Sequence, residues 1–170
     1  GKIGNYKGEL SIITIGATLP FLKKDILKIQ DKQCTFKGAI NSKKKSDLVK
    51  YSLLYLNAPY LWGGRTPFGI DCSGFSQIVY SLCGYQIPRD AYQQAERGVN
   101  VEFVELTEPG DLAFFDNEEG KITHVGIVTA PGKIIHASGK VRLDSLDQQG
   151  IFNKELGKYT HKLRVIKRVF

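Results

Sequence analysis

A cysteine and two histidines are the residues of this chain whose types and surroundings could do covalent chemistry. Cys72 lies in the run Asp71–Phe75, His124 opens an apolar stretch and His136 closes another. A thiolate attacks carbonyl carbon, an imidazole can take the thiol proton, and a second polar group can orient that imidazole. The pattern therefore indicates a nucleophile, its base and an orienting residue.

The sequence after Cys72 predicts a helix that begins at or just before this residue. Apolar residues recur at spacings of three and four up to Gly84, which provides a left-handed stop: Phe75, Ile78, Val79, Leu82 and Cys83. In the first turn, unpaired N–H groups and the helix dipole favour thiolate over thiol. We therefore expect Cys72 to be a partly exposed, reactive thiol. The ordinary alternative for a single cysteine is a buried structural role.

The two histidines are predicted to meet on one β-hairpin. Residues 123–138 contain two apolar arms with Ala130–Gly132 between them. If these three residues form the loop, Gly126 faces His136 and His124 lies diagonal to His136 on the same face. A two-residue loop would place the histidines on opposite faces, so the register tests the hypothesis. Two histidines near a sheet edge without a catalytic role are the alternative.

Six short motifs follow one another between about residue 47 and residue 170: Tyr60–Gly64, Asp71–Phe75, Ile87–Ala91, Pro109–Leu112, His124–Ile127 and Ile135–Ser138. Together they resemble the NlpC-type family of bacterial cell-wall cysteine peptidases, whose fold is a reduced papain-like α+β core. The resemblance implies Cys72 as nucleophile, His124 as base and His136 as the residue that fixes the tautomer of His124. It does not by itself identify the bond that is cut.

The resemblance also implies a substrate class, peptidoglycan stem peptides or muropeptides. One branch of the family cuts the bond from γ-D-glutamate to a diamino acid, diaminopimelate or lysine. Where a free amino-terminal L-alanine is required, the matching positions are Tyr60, Asp71 and Ser73, and Trp62 lies in a loop that could wall the cleft. The Asp71 carboxylate suits a free ammonium group, and its alternative role is to cap or orient the first turn of the helix.

The fold class expected for residues 46–170 is α+β, with one antiparallel sheet, helices on one face and the nucleophile at a helix N-terminus. A helix is predicted at Asp47–Leu56, capped by Ser46, and another at Arg89–Arg97. The predicted strands are Val101–Val104, Leu112–Phe115, the two arms of the hairpin and Leu163–Val169.

Residues 1–45 differ from the rest in charge and pattern. They carry ten lysines against three acidic side chains, which accounts for the whole formal net charge of +7. Short predicted strands make this a small all-β segment that resembles the latter half of a bacterial SH3-like domain. The basic surface suits an anionic polymer, or it is a solvated lysine-rich face. Aromatic residues are not interleaved with these lysines, so no nucleic-acid partner is expected.

The remaining cysteine and histidine residues are assigned ordinary roles. Cys83 is expected in the core and His161 on the surface; a disulfide between Cys34 and Cys83 is the alternative. Zinc bound by Cys72, His124 and His136 is the chemical rival to catalysis, but the sequence lacks a closely spaced ligand pair, so no metal and no other cofactor is expected.

Two rival functions stay open: another thiol-dependent amidase or acyltransferase, or a non-catalytic wall-binding module.

The sequence contains no methionine and no apolar run long enough to span a membrane. It is therefore expected to be a processed or truncated piece. A monomer that is secreted, periplasmic or associated with the cell wall is expected, with cytoplasmic recycling of murein peptides as the alternative.

Overall fold

Two compact units, residues 1–42 and 43–170, make up the computed structural model of this chain. The structure describes residues 2–4, 10–29, 32–38 and 44–170. The division at residue 45 and the SH3-like character of the first segment stay predictions.

The first unit is built from short antiparallel strands. Within the described residues its sheet has the order β2-β1-β5-β4-β3. The bounds are Lys2–Gly4 (β1), Leu10–Ile12 (β2), Leu22–Lys23 (β3), Ile26–Ile29 (β4) and Lys32–Lys37 (β5). Leu27, Cys34 and Phe36 form its small core, with Ile13, Leu19 and Leu22 packed against them. The all-β character expected for this segment is confirmed.

Three short α-helices belong to the second unit: Leu48–Leu53 (α1), Cys72–Leu82 (α2) and Ala91–Gln94 (α3). The helix predicted from Cys72 is confirmed, and Gly84 adopts the expected positive φ of 89°. The helix predicted at residues 47–56 begins one residue later and is shorter. Ser46 lies in a preceding 3-10 turn, Lys45–Asp47, so it does not cap α1. The helix predicted at residues 89–97 is one turn, α3, capped by Asp90.

The second unit also contains nine strands. They are Arg65–Thr66 (β6), Gly69–Ile70 (β7), Val99–Val101 (β8), Leu112–Asp116 (β9), Ile122–Ala130 (β10), Lys133–Ser138 (β11), Lys140–Leu146 (β12), Gly150–Asn153 (β13) and Lys158–Arg168 (β14). Seven of them form one antiparallel sheet in the order β13-β12-β11-β10-β9-β14-β8, and α2 packs on β10 and β11.

The α+β fold class with one antiparallel sheet is confirmed, and the sheet differs from the predicted strands in three details. β13 also pairs with β14, so the six strands β9–β14 close on themselves like a barrel. Strands β12 and β13 were not predicted, because their alternation of buried and exposed residues is irregular. The strand expected at residues 101–104 ends at Val101, and Val104–Leu106 forms a 3-10 turn.

Buried aliphatic and aromatic side chains fix the register of the closed sheet. Its cluster consists of Val104, Ala113, Phe115, Val128, Ile134, Leu146, Ile151 and Ile166. Because side chains alternate between the two faces of a strand, this cluster determines which face of β10 and β11 turns inward. Among the described residues, no helix is both long and apolar enough to cross a membrane.

Candidate active site

Cys72 is the first residue of α2, and its side chain is largely covered by protein. Asp71 caps the helix in an extended conformation, with its Oδ1 accepting the N–H of Gly74 at 2.6 Å. Only 7% of Cys72 is exposed. Burial raises the pKa of the thiol, and the nearby Asp71 carboxylate acts in the same direction. The expected partial exposure of this thiol is therefore wrong, and burial raises its pKa by more than the backbone hydrogen bonds at the helix start lower it.

The Cys72 sulfur lies against the start of β10. The backbone N–H of Val125 hydrogen-bonds this sulfur and lowers the thiol pKa, although less than burial raises it. Val125 directly follows His124, so the packing of α2 on β10 brings the thiol to the strand segment that carries the first histidine. A thiol of raised pKa needs a base that takes its proton if it is to attack.

The hairpin places the two histidines together, as its pattern predicted. Gly126 pairs with His136 across β10 and β11. The turn is made by two residues, Pro131 and Gly132, but a β-bulge at residues 128–130 restores the register that a three-residue loop would give. The Nε2 atom of His124 lies 2.8 Å from the Nδ1 atom of His136. Gly126 leaves space for this contact, since a Cβ there would come within 2.9 Å of the His136 Cβ.

A carboxylate that sequence reasoning missed lies behind His136. The Nε2 atom of His136 is 2.9 Å from the Oδ2 atom of Asp144 on β12. Arg142 donates to both oxygens of this carboxylate, at 2.7 Å and 3.1 Å. Burial raises the pKa of Asp144, but the hydrogen bonds from His136 and Arg142 outweigh it and hold the pKa below its usual range. Asp144 is therefore an ionised, buried acceptor.

The third histidine also belongs to this cluster, so its predicted surface position is wrong. The His161 ring on β14 stacks on the His124 ring, with centroids 4.1 Å apart and planes 25° apart. Burial lowers the pKa of His161 to about 4, and His136 acts in the same direction. Burial, His136 and His161 likewise hold the pKa of His124 well below its usual value. Near neutral pH, His124 and His161 are therefore neutral.

Within the part of the chain that the structure describes, these three histidines form a group that could hold a metal ion, because one nitrogen of each lies within 4.8 Å of the others. Zinc needs lone pairs that converge on one point. The nearest nitrogens of His124 and His136 instead face each other across a hydrogen bond of 2.8 Å. His161 lies parallel to His124, and its Nδ1 is 2.9 Å from the hydroxyl of Thr160. The arrangement is that of hydrogen-bonded and stacked imidazoles.

Arg89 and Asp71 form an ion pair beside the thiol. Arg89 donates to Asp71 Oδ1 at 3.0 Å and, through its other terminal nitrogen, to Oδ2 at 2.5 Å. It also donates to the hydroxyl of Ser73 at 2.8 Å. Asp71 further accepts the N–H groups of Gly63 and Gly74. Burial raises the pKa of Asp71, but these donors more than offset it and lower the pKa. The carboxylate thus caps the helix and anchors the preceding loop, which is the alternative role considered for it.

The tyrosine and tryptophan predicted to contact substrate lie in the loop before α2. Burial raises the pKa of Tyr60, and charges on Cys72 and Asp71 act in the same direction. Its phenol is therefore protonated and close enough to Cys72 to interact with it electrostatically. Trp62 is 86% exposed. It precedes Gly63, whose positive φ of 75° and hydrogen bond to Asp71 fix the turn.

A buried amide on α3 supports the start of α2. Gln94 on α3 is fully buried and donates to the carbonyl groups of Ser73 and Pro88, at 3.0 Å and 2.8 Å. Its oxygen accepts the hydroxyl of Ser76 at 2.7 Å. Gln94 therefore ties the first turn of α2 to the residue that precedes Arg89.

Sequence reasoning missed Arg89, Gln94, Asp144 and His161 as members of this site. Arg89 stood in one of the six motifs, and Arg142 and Asp144 stood two residues apart, a spacing that puts both on one face of a strand. Nothing in the local sequence indicated that His161 would reach His124.

Comparison with known proteins supports the assignment of the second unit. The family model described as "NlpC/P60 family" matches residues 57–160. The "Gamma-D-glutamyl-L-lysine dipeptidyl-peptidase" of Bacillus subtilis (strain 168) is 43% identical over 115 residues, which are 65% of this chain and 38% of that protein. The chain thus spans well under half of this curated relative.

Two solved structures are similar as well. A crystal structure of an NlpC/P60 family protein from Bacillus cereus ATCC 10987 aligns with 99% of this chain and 60% of its own chain, at 25% identity and a TM-score of 0.79. The NlpC/p60 domain of the peptidoglycan hydrolase SagA is 34% identical over 59% of this chain and 87% of its own, with a TM-score of 0.53. With the family model covering more than half of its residues, this chain belongs to the NlpC/P60 family.

Proposed function

We propose that this chain is a cysteine peptidase that hydrolyses peptidoglycan stem peptides at the bond from γ-D-glutamate to an L-diamino acid. The observation that carries the proposal is the arrangement of Cys72, at the N-terminus of α2, against the strand whose His124 is hydrogen-bonded to His136. A nucleophile, a base and an orienting residue are the set that acyl transfer through a thioester requires.

The proposed reaction proceeds in two stages. His124 takes the thiol proton as Cys72 attacks the γ-glutamyl carbonyl, and it then gives that proton to the departing amine while a thioester forms. Water, deprotonated by the same imidazole, attacks the thioester and releases the γ-glutamyl carboxylate and the thiol. Because the free thiol has a raised pKa and His124 a lowered one, proton transfer accompanies attack and no preformed ion pair is needed.

The negative oxygen of the tetrahedral species needs donors where its charge develops. We assign this role to the backbone N–H of Cys72, at the start of α2, and to the hydroxyl of Tyr60. The raised pKa of Tyr60 supports the second donor, because a protonated phenol can donate a hydrogen bond. No metal or organic cofactor takes part in these steps.

Substrate recognition is assigned to Tyr60, Trp62, Asp71 and Ser73, around the nucleophile. Asp71 would pair with the free ammonium of an amino-terminal L-alanine. Asp71 already accepts hydrogen bonds from Arg89 and from two backbone N–H groups. The ammonium group of the substrate would therefore share this carboxylate with those donors. The name of the Bacillus subtilis relative supports a γ-D-glutamyl bond to lysine, with diaminopimelate as the second candidate.

Defined peptides and mass spectrometry test the proposal. The chain is incubated with L-Ala-γ-D-Glu-L-Lys, with its diaminopimelate counterpart, and with both peptides acetylated at L-alanine. We expect release of L-Ala-γ-D-Glu from the free peptides, and no release by Cys72→Ala. Loss of the charge-assisted hydrogen bond should lower cleavage of the acetylated peptides by on the order of tenfold to a hundredfold.

Each other outcome identifies a different function. Cleavage at another amide, or transfer to an added amine, would indicate an amidase or acyltransferase. Binding to isolated cell walls with every peptide left intact would indicate a wall-binding module. Equal cleavage of free and acetylated peptides would leave Asp71 as a capping residue only.

The proposed place of action follows from the substrate. Stem peptides of intact wall lie outside the membrane, so a secreted, periplasmic or wall-associated protein is proposed, and the names of the similar hydrolases support it. The lysine-rich residues 1–45 are proposed to form an SH3-like segment that favours anionic wall polymers over nucleic acid. Gel filtration at several concentrations tests the proposed monomer.

A further inference from the structure

We propose that Asp144 is a positioning residue that fixes the protonation pattern of both His136 and His124, and so selects the nitrogen of His124 that acts as base. The inference rests on the function proposed above, because a base is needed only if Cys72 is the nucleophile.

The pattern follows from what each group can donate. An ionised carboxylate accepts hydrogen bonds and donates none, so the 2.9 Å contact requires the proton on His136 Nε2. If that is the one proton His136 carries, its Nδ1 keeps a bare lone pair. The 2.8 Å contact between Nδ1 and His124 Nε2 in turn requires the proton on His124 Nε2. The one nitrogen of His124 left to accept the thiol proton is Nδ1.

Sheet geometry makes this order of contacts possible. Gly126 is opposite His136 in the register, and Arg142 is opposite His136 on the other side. His124 and Asp144 therefore each lie diagonal to His136, on three neighbouring strands and one face of the sheet. The three side chains form a continuous row that is almost fully buried, at 7%, 1% and 7% exposure from His124 to Asp144. Because these side chains are buried, a water molecule cannot easily take the place of one that is removed.

Arg142 keeps the carboxylate in the acceptor role. It donates to both oxygens of Asp144 and is itself held by Glu155, at 3.2 Å. An asparagine at position 144 would have to turn its amide NH₂ either toward the guanidinium, which also donates, or toward His136. The second orientation reverses the direction of both hydrogen bonds. His136 and His124 would then each carry their proton on Nδ1, so Nδ1 of His124 could not accept the thiol proton.

The experiment combines kinetics with nitrogen NMR of the imidazoles. In Asp144→Asn we expect kcat for stem-peptide cleavage to fall by on the order of 10²- to 10⁴-fold with little change in KM, which is the effect of a wrong tautomer in comparable enzymes. In ¹⁵N-labelled wild-type protein, His124 and His136 should both show protonated Nε2 and bare Nδ1. Asp144→Asn should shift His136 toward the opposite tautomer.

A matched control is Asp147→Asn. Asp147 lies just after β12 on the exposed surface, where it binds the Tyr159 hydroxyl and turn N–H groups away from the histidines. Activity and both tautomers should be unchanged in this variant.

The NMR result separates this inference from the proposed function. Bare Nε2 and protonated Nδ1 on His124 in the wild type would overturn the role of Asp144, whatever the activity and even if the variant did not fold. A kcat within about threefold of wild type in a folded Asp144→Asn variant would overturn it as well. The expected tautomers in a protein that cleaves no stem peptide would instead contradict the proposed function alone.

Discussion

Arg89 holds both carboxylate oxygens of Asp71, the residue that caps α2. The positive charge of Arg89 has two effects. It holds the carboxylate that caps the first turn of α2, and its charge is opposite in sign to that of Asp71, which raises the pKa of the Cys72 thiol. Helix stability and the electrostatics around the thiol are therefore linked at this pair.

Replacing Asp71 tests the first effect. Asp71→Asn should lower the free energy of unfolding by about 2 kcal/mol, because it weakens the hydrogen bonds that hold Arg89 and the N–H groups of Gly63 and Gly74. Urea denaturation measures the change. As control, Asp90→Asn at the cap of α3 should change stability by less than about 0.5 kcal/mol, since asparagine caps as well as aspartate. If the two changes lowered stability equally, Asp71 would act as an ordinary helix cap, and its hydrogen bonds to Arg89 and Gly63 would add no stability.

Cys72 at the start of α2 and Cys83 just after its end separate chemistry from packing. Cys72→Ala should abolish cleavage and change the free energy of unfolding by no more than about 1 kcal/mol. Cys83→Ala removes a thiol of similar burial, with 3% exposed, at the other end of the same helix. This variant should lose about 1 kcal/mol of stability and keep its kcat. If Cys72→Ala still turned over substrate faster than the uncatalysed reaction, Cys72 would not be the nucleophile.

The two histidines should differ in kinetic importance. His124→Ala removes the proposed base and should lower kcat by the larger factor, whereas His136→Ala should cost a smaller factor, because the base itself stays in place when only its orienting group is lost. Steady-state kinetics on the same peptide measures both losses. Losses of the same size would argue against separate roles for the two rings, and zinc release from either variant would favour a metal site.

Gly126 tests the hairpin geometry without touching a polar group. A methyl group at this position would lie 2.6 Å from the Ile134 Cδ1 and 2.9 Å from the His136 Cβ. Gly126→Ala should therefore displace His136, lower kcat by about tenfold or more and reduce stability by about 1–3 kcal/mol. Thr123→Ala, at an exposed position on the same strand, is the control. A Gly126→Ala variant with wild-type kcat would show that the ring contact is not needed.

His161 should make stability depend on pH. Its folded pKa, about 4, lies below the value of about 6.5 expected in the unfolded chain, because burial disfavours the charged ring. As the pH falls, the unfolded chain therefore binds the proton before the folded protein does. The contribution of His161 to the free energy of unfolding is fully present above pH 6.5 and is lost as the pH falls toward 4.

The control for this pH dependence is His161→Phe, which keeps a ring against His124 but cannot titrate. Thermal unfolding of both proteins between pH 7 and pH 4 should show a shallower loss in the variant, by at most about 1.4 kcal/mol per pH unit and less where solvent screens the ring. Parallel curves would show that His161 does not titrate with unfolding.

The sequence alone determined the local features of this protein. The helix that begins at Cys72 follows from apolar spacing and a glycine stop, and the His124 and His136 pair follows from the hairpin register. Both depend on residues within about twelve positions of one another, where backbone geometry fixes which side chains meet. The first-unit strand at Ile26–Ile29 was predictable for the same reason.

Only the tertiary structure decided the environment of these residues. Asp144 reaches His136 through a strand that the pattern did not predict, and His161 reaches His124 because β14 pairs with β9, the neighbour of β10. Burial against the start of β10 raises the Cys72 pKa, where the helix end alone would lower it. Contacts between distant segments depend on how whole elements pack, and so does the loss of solvent around a charge. The spacing of neighbouring residues predicts neither of them.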